Sequence, residues 1–171
     1  MGWHWPAFED ERGSFTRLFD PDWPFWLNRP VCQINQSCTL TVGAVRGLHY
    51  QLPPAADAKL VRCLRGEVFD VAVDLRMGSA TFLQWHGVRL SPARSNGLFL
   101  PEGFAHGFQV LEGPAEMLYV HSDAYAKLQE GALRWNDPRL SITWPLPVGS
   151  ISARDAEHPL ITPDFAGFAI P

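Results

Sequence analysis

The chain has 171 residues, of which 46% are hydrophobic and 19% charged, and its formal net charge is −4. This acidic balance argues against a general nucleic-acid binder, because such proteins usually present a clustered basic face to phosphates. No apolar run approaches the roughly 18–20 residues that cross a bilayer, so we expect neither a nucleic-acid nor a membrane partner. The length fits one domain, which we expect to span residues 1–171.

The start of the chain and its cysteines bear on the cellular compartment. Residues 1–11 have neither a basic start nor a continuous apolar stretch, which are the two marks of a signal peptide. We therefore expect no signal peptide and a cytoplasmic location. Cys32, Cys38 and Cys63 cannot all pair within one chain and have no CxxC spacing. We therefore expect free thiols.

Short segments rich in Val, Phe, Leu and Trp are interrupted throughout by the 14 glycines and 15 prolines. In chain order we predict a short helical turn at residues 21–26, strands at 59–64, 67–76, 81–90, 97–100, 104–110 and 115–121, and a second helical turn at 126–130. The tail, residues 152–171, is expected to be a loop that wraps over the sheets. Many short strands at this spacing predict an all-β, antiparallel sandwich or barrel, most commonly a jelly roll.

The clearest predicted strand, residues 67–76, alternates regularly. Its odd-numbered apolar side chains Phe69, Val71, Val73 and Leu75 would all point to one face, since successive side chains of a strand alternate. That face should lie on the core.

The segment Arg46-Gly47-Leu48-His49-Tyr50-Gln51 places a histidine next to a tyrosine and near an arginine. Regular strand alternation would put Arg46 on one face and His49 on the other. Taken alone, a lone histidine such as His49 is more often a structural group than a catalytic one.

Further motifs follow this segment in a fixed order. They are Lys59-Leu60-Val61-Arg62, the run from Gly66 to Asp74, Pro101-Glu102-Gly103-Phe104-Ala105-His106-Gly107-Phe108, Leu118-Tyr119 and Trp135-Asn136-Asp137-Pro138, with Asp10-Glu11-Arg12-Gly13 before them and Ile151-Ser152-Ala153-Arg154-Asp155 after them. Together they resemble the dTDP-4-dehydrorhamnose 3,5-epimerase family over nearly the whole chain. The resemblance implies a cupin jelly roll, usually a homodimer, that acts without a cofactor on a dTDP-linked 4-keto-6-deoxy sugar for rhamnose or a related deoxysugar.

The resemblance also implies roles for four residues in proton transfer beside a ketone. His49 matches the base and Asp155 the carboxylate that orients it, and histidine suits this work because its ordinary pKa of about 6.5 leaves much of it neutral near pH 7. Tyr119 matches the acid that returns a proton. Lys59 matches a cation near the keto oxygen, where negative charge develops.

A further set matches positions that contact the nucleotide sugar in the family: Arg12, Gln33, Asn35, Arg46, His106, Tyr125, Glu130 and Arg154. Among these, Arg46 would meet a phosphate, which suits a planar guanidinium, and Tyr125 would stack on the thymine ring. His106 could bind the sugar or the keto oxygen, or be a structural histidine in a turn.

Many cupins bind a metal through a His-x-His motif and further downstream ligands, but this chain has no His-x-His. His4, His86, His121 and His158 are scattered without ligand spacing. We therefore expect no catalytic metal.

Several departures from the family pattern fall on binding positions. Arg17 stands where relatives have Glu, and Ile34 and Gln36 stand in a motif that usually reads Gln-Asp-Asn-His-Ser, while few residues precede Asp10. The sequence thus leaves open the preferred nucleotide, the choice between C3 alone and both C3 and C5, and the geometry of the dimer. A sugar ketoisomerase on another nucleotide deoxysugar and a non-catalytic sugar-nucleotide-binding cupin remain as alternatives.

Overall fold

A computed structural model describes residues 2–5 and 7–170 of the chain. Its strands are β1 (Gly2–His4), β2 (Phe8–Asp10), β3 (Gly13–Phe15), β4 (Gln33–Thr39), β5 (Val45–Gln51), β6 (Lys59–Asp74), β7 (Trp85–Leu90), β8 (Asn96–Leu100), β9 (Phe104–His121) and β10 (Glu130–Ala132). A 3₁₀ turn covers Pro92–Arg94, and one short helix, α1, covers Ala153–Glu157. Over the described ranges, no helix has the length and apolar character required to span a bilayer.

The long strands β6 and β9 pair with each other and organise the fold. The start of β6 and the end of β9 pair with β8 and β4, and β1 extends this layer through β8. The other halves pair with β7 and β5, and β10 extends that layer through β5. All of these pairings are antiparallel, so two layers share β6 and β9, which confirms the predicted all-β jelly roll.

Two pairs of predicted strands are in fact continuous. Residues 59–64 and 67–74 lie within β6, which ends at Asp74, two residues before the predicted end, and residues 104–110 and 115–121 lie within β9. Gly66, which suggested a turn in the sequence, instead lies where the pairing of β6 with β9 shifts register, between Cys63 and Val68. These irregularities let one strand pass from the first layer to the second.

Other boundaries also differ from the sequence prediction. Residues 81–84 form a turn, so β7 begins at Trp85, and residues 21–26 and 126–129 form turns without regular helix. The tail predicted as a loop begins with α1, whose N-cap Ser152 accepts a hydrogen bond from the backbone N of Asp155 at 3.0 Å. This cap fixes the carboxylate-bearing turn of the helix.

The core confirms the predicted apolar face of β6. Val71, Val73 and Leu75 are fully buried and pack in one cluster with Leu48 of β5. The opposite face of β6 is buried as well, because Val68 packs in a second cluster between the layers.

Asp74 ends β6 as a buried anion. Its two oxygens accept hydrogen bonds from the guanidinium of Arg76 at 2.9 and 2.8 Å and from the hydroxyls of Ser79 and Thr81 at 2.6 Å each. The carboxylate thereby fastens the turn that follows β6.

Candidate active site

Two adjoining cavities of about 350 and 390 Å³ open between the strands. Both are lined by Asn35, His49, Lys59 and His121. Every residue predicted for the site lies on one of these cavities or bonds to a residue that does, apart from Arg12. The site therefore draws side chains from β4, β5, β6, β9 and β10 and from the turn at α1.

Arg46 and His49 line the same cavity, which corrects the alternation expected for β5. The pairing of β5 with β9 shifts register between these two residues, so the odd–even rule does not hold across them. Gly47 occupies the shift with φ +124°, and a Cβ there would lie 2.5 Å from the Cα of Gly107. A glycine at this position thus allows β5 and β9 to approach and turns both side chains toward the cavity.

His49 and Asp155 form a hydrogen-bonded pair. His49 Nε2 lies 2.8 Å from Asp155 Oδ1, and the backbone N–H of Gly47 donates to Asp155 Oδ2 at 3.2 Å. Burial alone would raise the pKa of Asp155, but the hydrogen bonds from His49, Gly47 and Ser152 outweigh burial and lower it. Asp155 is therefore an anion at neutral pH. Hydrogen bonding to this carboxylate favours the tautomer of His49 that carries its proton on Nε2 and a lone pair on Nδ1.

Tyr119 lies on the second cavity together with His49. Its hydroxyl is 3.0 Å from Ser37 Oγ, and its ring meets the ring of His106 edge-on with centroids 6.1 Å apart. Burial raises the pKa of Tyr119 to about 12. The phenol consequently keeps its proton at neutral pH.

Lys59 and His121 share a carboxylate that the sequence analysis did not select. His121 Nδ1 lies 2.8 Å from Asp57 Oδ2, and Lys59 Nζ lies 3.7 Å from Asp57 Oδ1. The ring of His121 stacks on Tyr119 with centroids 6.2 Å apart. His121 follows Tyr119 by two residues on β9, so strand alternation was a signal that could have placed it in the site.

His106 forms a third imidazole–carboxylate pair. Its Nε2 lies 3.0 and 2.9 Å from the two carboxylate oxygens of Asp70. Burial raises the pKa of Asp70, and the neighbouring imidazole opposes this effect. Asp70 interrupts an otherwise apolar run of β6, and this interruption was the sequence signal that could have indicated its pairing with His106.

Polar groups form a connected rim at the mouth of the first cavity. The Tyr125 hydroxyl donates to Glu130 Oε2 at 2.9 Å, and Arg154 Nη2 lies 2.7 Å from the same oxygen. Gln33 accepts from the backbone N of Tyr125 at 3.0 Å and donates to Asn35 at 3.0 Å. The rim thus holds Tyr125 in place while 55% of this residue remains exposed.

Arg12 lies on the separate β2–β3 hairpin and not on either cavity. Its guanidinium pairs with Asp10 of the same hairpin at 2.5 Å. Arg17, where the family pattern has Glu, pairs with Asp20 at 2.6 Å.

One group of side chains has the composition of a metal site. The ligand atoms of His49, Asp155 and His158 lie within 4.8 Å of one another. Burial lowers the pKa of His158, which favours its neutral form. His158 was considered in the sequence and set aside for lack of spacing, because its partner His49 lies on a distant strand.

Comparison with known proteins gives consistent matches. The sequence model of the family described as dTDP-4-dehydrorhamnose 3,5-epimerase matches residues 3–162. The chain is 47% identical over 152 residues to the dTDP-4-dehydrorhamnose 3,5-epimerase of Shigella flexneri, covering 87% of this chain and 83% of the relative. It is 36% identical to a dTDP-4-dehydrorhamnose 3-epimerase of Streptomyces niveus, with 89% and 74% of the two chains covered.

A solved structure is similar over almost the whole chain. It is dTDP-6-deoxy-D-glucose-3,5-epimerase from Legionella pneumophila Philadelphia 1 in complex with dTDP-4-keto-L-rhamnose, with a TM-score of 0.89 and 38% identity. The match covers 99% of this chain and 93% of that one.

Proposed function

Because the chain belongs to the dTDP-4-dehydrorhamnose 3,5-epimerase family, we propose that it is a single cupin domain that epimerises C3 and C5 of a dTDP-linked 4-keto-6-deoxy sugar. The observation that carries the proposal is the single cavity onto which His49, Lys59 and Tyr119 all open. A base, a cation and a phenolic acid in one cavity are the groups that proton transfer beside a ketone requires.

His49 is the base in this proposal. Asp155 Oδ1 accepts a hydrogen bond from the Nε2–H group of His49 at 2.8 Å, which leaves the Nδ1 lone pair to remove the proton from the carbon next to the ketone. The same carboxylate stabilises the imidazolium that results.

Lys59 and Tyr119 act on the enolate. The Lys59 ammonium, 11% exposed, meets the negative charge that develops on the keto oxygen. Tyr119 returns a proton to the carbon, and His106 supports the tyrosine ring from its edge. A positioned acid or base of this kind typically contributes about 10²–10⁴-fold to the rate.

The remaining predicted residues bind the diphosphate, the base and the sugar of the nucleotide sugar. Arg46 and Arg154 are available for the diphosphate, the exposed ring of Tyr125 for the thymine, and Gln33 and Asn35 for the sugar. A dTDP sugar is bound by the similar Legionella protein, which supports this ligand class. The predicted absence of a cofactor and the cytoplasmic location stay predictions.

We further propose that a homodimer brings Arg12 to the site. The β2–β3 hairpin that carries Arg12 exposes Phe8 and Phe15, which pair across it and are 68% and 66% exposed. Such an apolar pair on a projecting hairpin fits burial against a second copy. Light scattering should give a dimer, and Arg12→Ala should raise KM while leaving the dimer intact.

The test of the epimerase function is incubation with dTDP-4-keto-6-deoxyglucose in D₂O, followed by NMR. We expect deuterium at C3 and C5 and inversion at both carbons, with exchange abolished in His49→Ala. Exchange at neither carbon, or undiminished exchange in His49→Ala, would refute the proposal.

Exchange at C3 alone would indicate a 3-epimerase, a second candidate that the similarity to the Streptomyces niveus enzyme favours. A product in which the carbonyl has moved would indicate a ketoisomerase. Tight dTDP binding without any exchange would indicate a binding protein.

A further inference from the structure

His158 has a buried ring nitrogen without a partner in the described chain. The residue caps the C-terminal end of α1, three positions after Asp155, so both side chains belong to one helical turn. Its Nε2 is buried and makes no hydrogen bond. The neighbouring Asp155 Oδ1 is 3.8 Å away, too far for a hydrogen bond. Buried polar atoms are nearly always paired with protein, water or an ion, so this nitrogen is available to bind a ligand.

The surroundings of this nitrogen fit a divalent metal ion. His49 Nε2 lies 2.8 Å from Asp155 Oδ1, and the three ligand atoms lie within 4.8 Å of one another. Zinc at about 2.0–2.1 Å from each ligand in a tetrahedral arrangement would need ligand atoms roughly 3.3 Å apart. The observed separations of 2.8 Å from His49 Nε2 and 3.8 Å from His158 Nε2 to Asp155 Oδ1 lie on either side of that spacing.

The chemistry of the three ligands also fits. Two imidazoles and one carboxylate form a recurrent zinc ligand set, which leaves a fourth position for water. A third cavity of about 400 Å³, lined by His49, Asp155 and Arg154, offers an entry path. The positive charge of Arg154 is offset by Glu130 at 2.7 Å, so it opposes a cation less than a free guanidinium would.

We propose that His49, Asp155 and His158 form an inhibitory zinc site. Zinc on Nε2 of His49 displaces the proton shared with Asp155, and the neutral ring then holds its one proton on Nδ1. No lone pair is left to accept the substrate proton. The inhibitory part rests on the proposed role of His49 as base, whereas the binding part does not.

The location of the site determines the kind of inhibition. Neither Asp155 nor His158 lines the two substrate cavities, so zinc should leave room for the sugar nucleotide. We expect zinc to lower kcat and to leave KM largely unchanged.

The binding experiment uses Zn²⁺ in competition with a chromophoric chelator and, separately, the visible absorption of bound Co²⁺. Both are measured on the full chain with Cys32→Ser and Cys38→Ser, because these exposed thiols are themselves zinc ligands. We expect one tight equivalent and a tetrahedral Co²⁺ spectrum. His158→Ala should weaken binding by at least about tenfold, whereas His86→Ala, an exposed histidine on β7, should not.

The kinetic experiment measures epimerisation against zinc concentration in the same proteins. His158→Ala should keep the metal-free turnover and lose sensitivity to zinc, while His86→Ala should be inhibited like the parent. Equal inhibition of parent and His158→Ala, inhibition that raises KM alone, or no tight equivalent would overturn the proposal. Because the chelator and cobalt measurements need no substrate, an inactive enzyme would refute the epimerase function and still leave the metal site to be decided by binding.

Discussion

Replacing Asp155 by asparagine keeps the size of the side chain and removes its charge. In the folded protein Asp155 Oδ1 accepts from His49 at 2.8 Å and Oδ2 accepts from the Gly47 N–H at 3.2 Å. An amide has one oxygen and one NH₂ group, so it cannot accept both hydrogen bonds. The variant must give up one of the two contacts.

Either orientation of the amide should impair His49 in its proposed role as the base. With its oxygen toward His49, the NH₂ group faces the Gly47 N–H and no negative charge stabilises the imidazolium. With its NH₂ toward His49, the ring proton moves to Nδ1 and the lone pair is lost. The expected fall in kcat is therefore about 10²–10⁴-fold, which corresponds to roughly 3–5 kcal/mol of transition-state stabilisation. KM should change little, because Asp155 lines neither of the two cavities in which we propose that the substrate binds.

The assay is NMR of the nucleotide sugar in D₂O, since washout of the proton at C3 measures the base directly. Asp164→Asn, which replaces an exposed carboxylate in the same tail, is the matched control and should exchange like the parent. Parent-like exchange in Asp155→Asn, or a loss that appears in KM alone, would refute the pairing as the source of basicity.

Three further outcomes follow from the geometry and the pKa values. In NMR, Tyr119→Phe should retain deuterium exchange, and its rate of inversion should fall by about 10²–10⁴-fold. Burial raises the pKa of Tyr119 to about 12, so ionisation of this phenol should not reduce the activity of the parent near pH 10. Asp74→Asn should lower the free energy of unfolding in urea by about 3 kcal/mol at neutral pH. Burial alone would raise the pKa of Asp74, but its hydrogen bonds outweigh burial and lower the pKa below 3.8. The parent's extra free energy of unfolding over Asp74→Asn should therefore be full above pH 3.8 and shrink as the pH falls through the lowered pKa. A stability difference that does not depend on pH would contradict this. Burial raises the pKa of Cys63 to about 11, so a thiol reagent should label Cys32 and Cys38 in the folded protein and Cys63 only after unfolding.

The sequence was most informative where a property is local. Period-two alternation along residues 67–76 predicted a strand whose apolar face lies in the core, and Val71 and Val73 are indeed fully buried there. The continuity of β6 and β9 was not predictable, because Gly66 in β6 and Gly113-Pro114 in β9 are as compatible with a turn as with an irregularity inside a bent strand. Which one forms depends on the strands that pair on either side.

The face of β5 on which Arg46 lies was also not predictable from the sequence pattern alone. Alternation assigns faces correctly when pairing is regular, and the shift of register at Gly47 breaks it. Gly47 tolerates φ +124° and the close approach of β9, but a glycine in a sequence does not reveal whether either is required. The resemblance placed both residues in one site, and the strand geometry explains how they arrive there.

The acidic partners of the site histidines were hidden for a different reason. His121 pairs with Asp57 and His106 with Asp70, across 64 and 36 residues of chain. Such pairs depend on the register between β6 and β9, which single-strand patterns do not specify. Only the resemblance supplied the one long-range pair that was predicted, His49 with Asp155.

Three imidazole–carboxylate pairs surround the cavities, so pairing alone does not identify the base. The pairs differ in access: the side chain of His106 is 7% exposed, that of His121 is 16% and that of His49 is 36%, whereas their aspartates are 0%, 3% and 7% exposed. A general base must touch the proton it removes, and its orienting carboxylate must stay shielded from water to act strongly. His49 combines the most accessible ring with a carboxylate that is still largely buried. The same accessibility makes His49 the imidazole that zinc reaches in the proposed site with His158, so one feature underlies both its proposed role as base and its proposed inhibition.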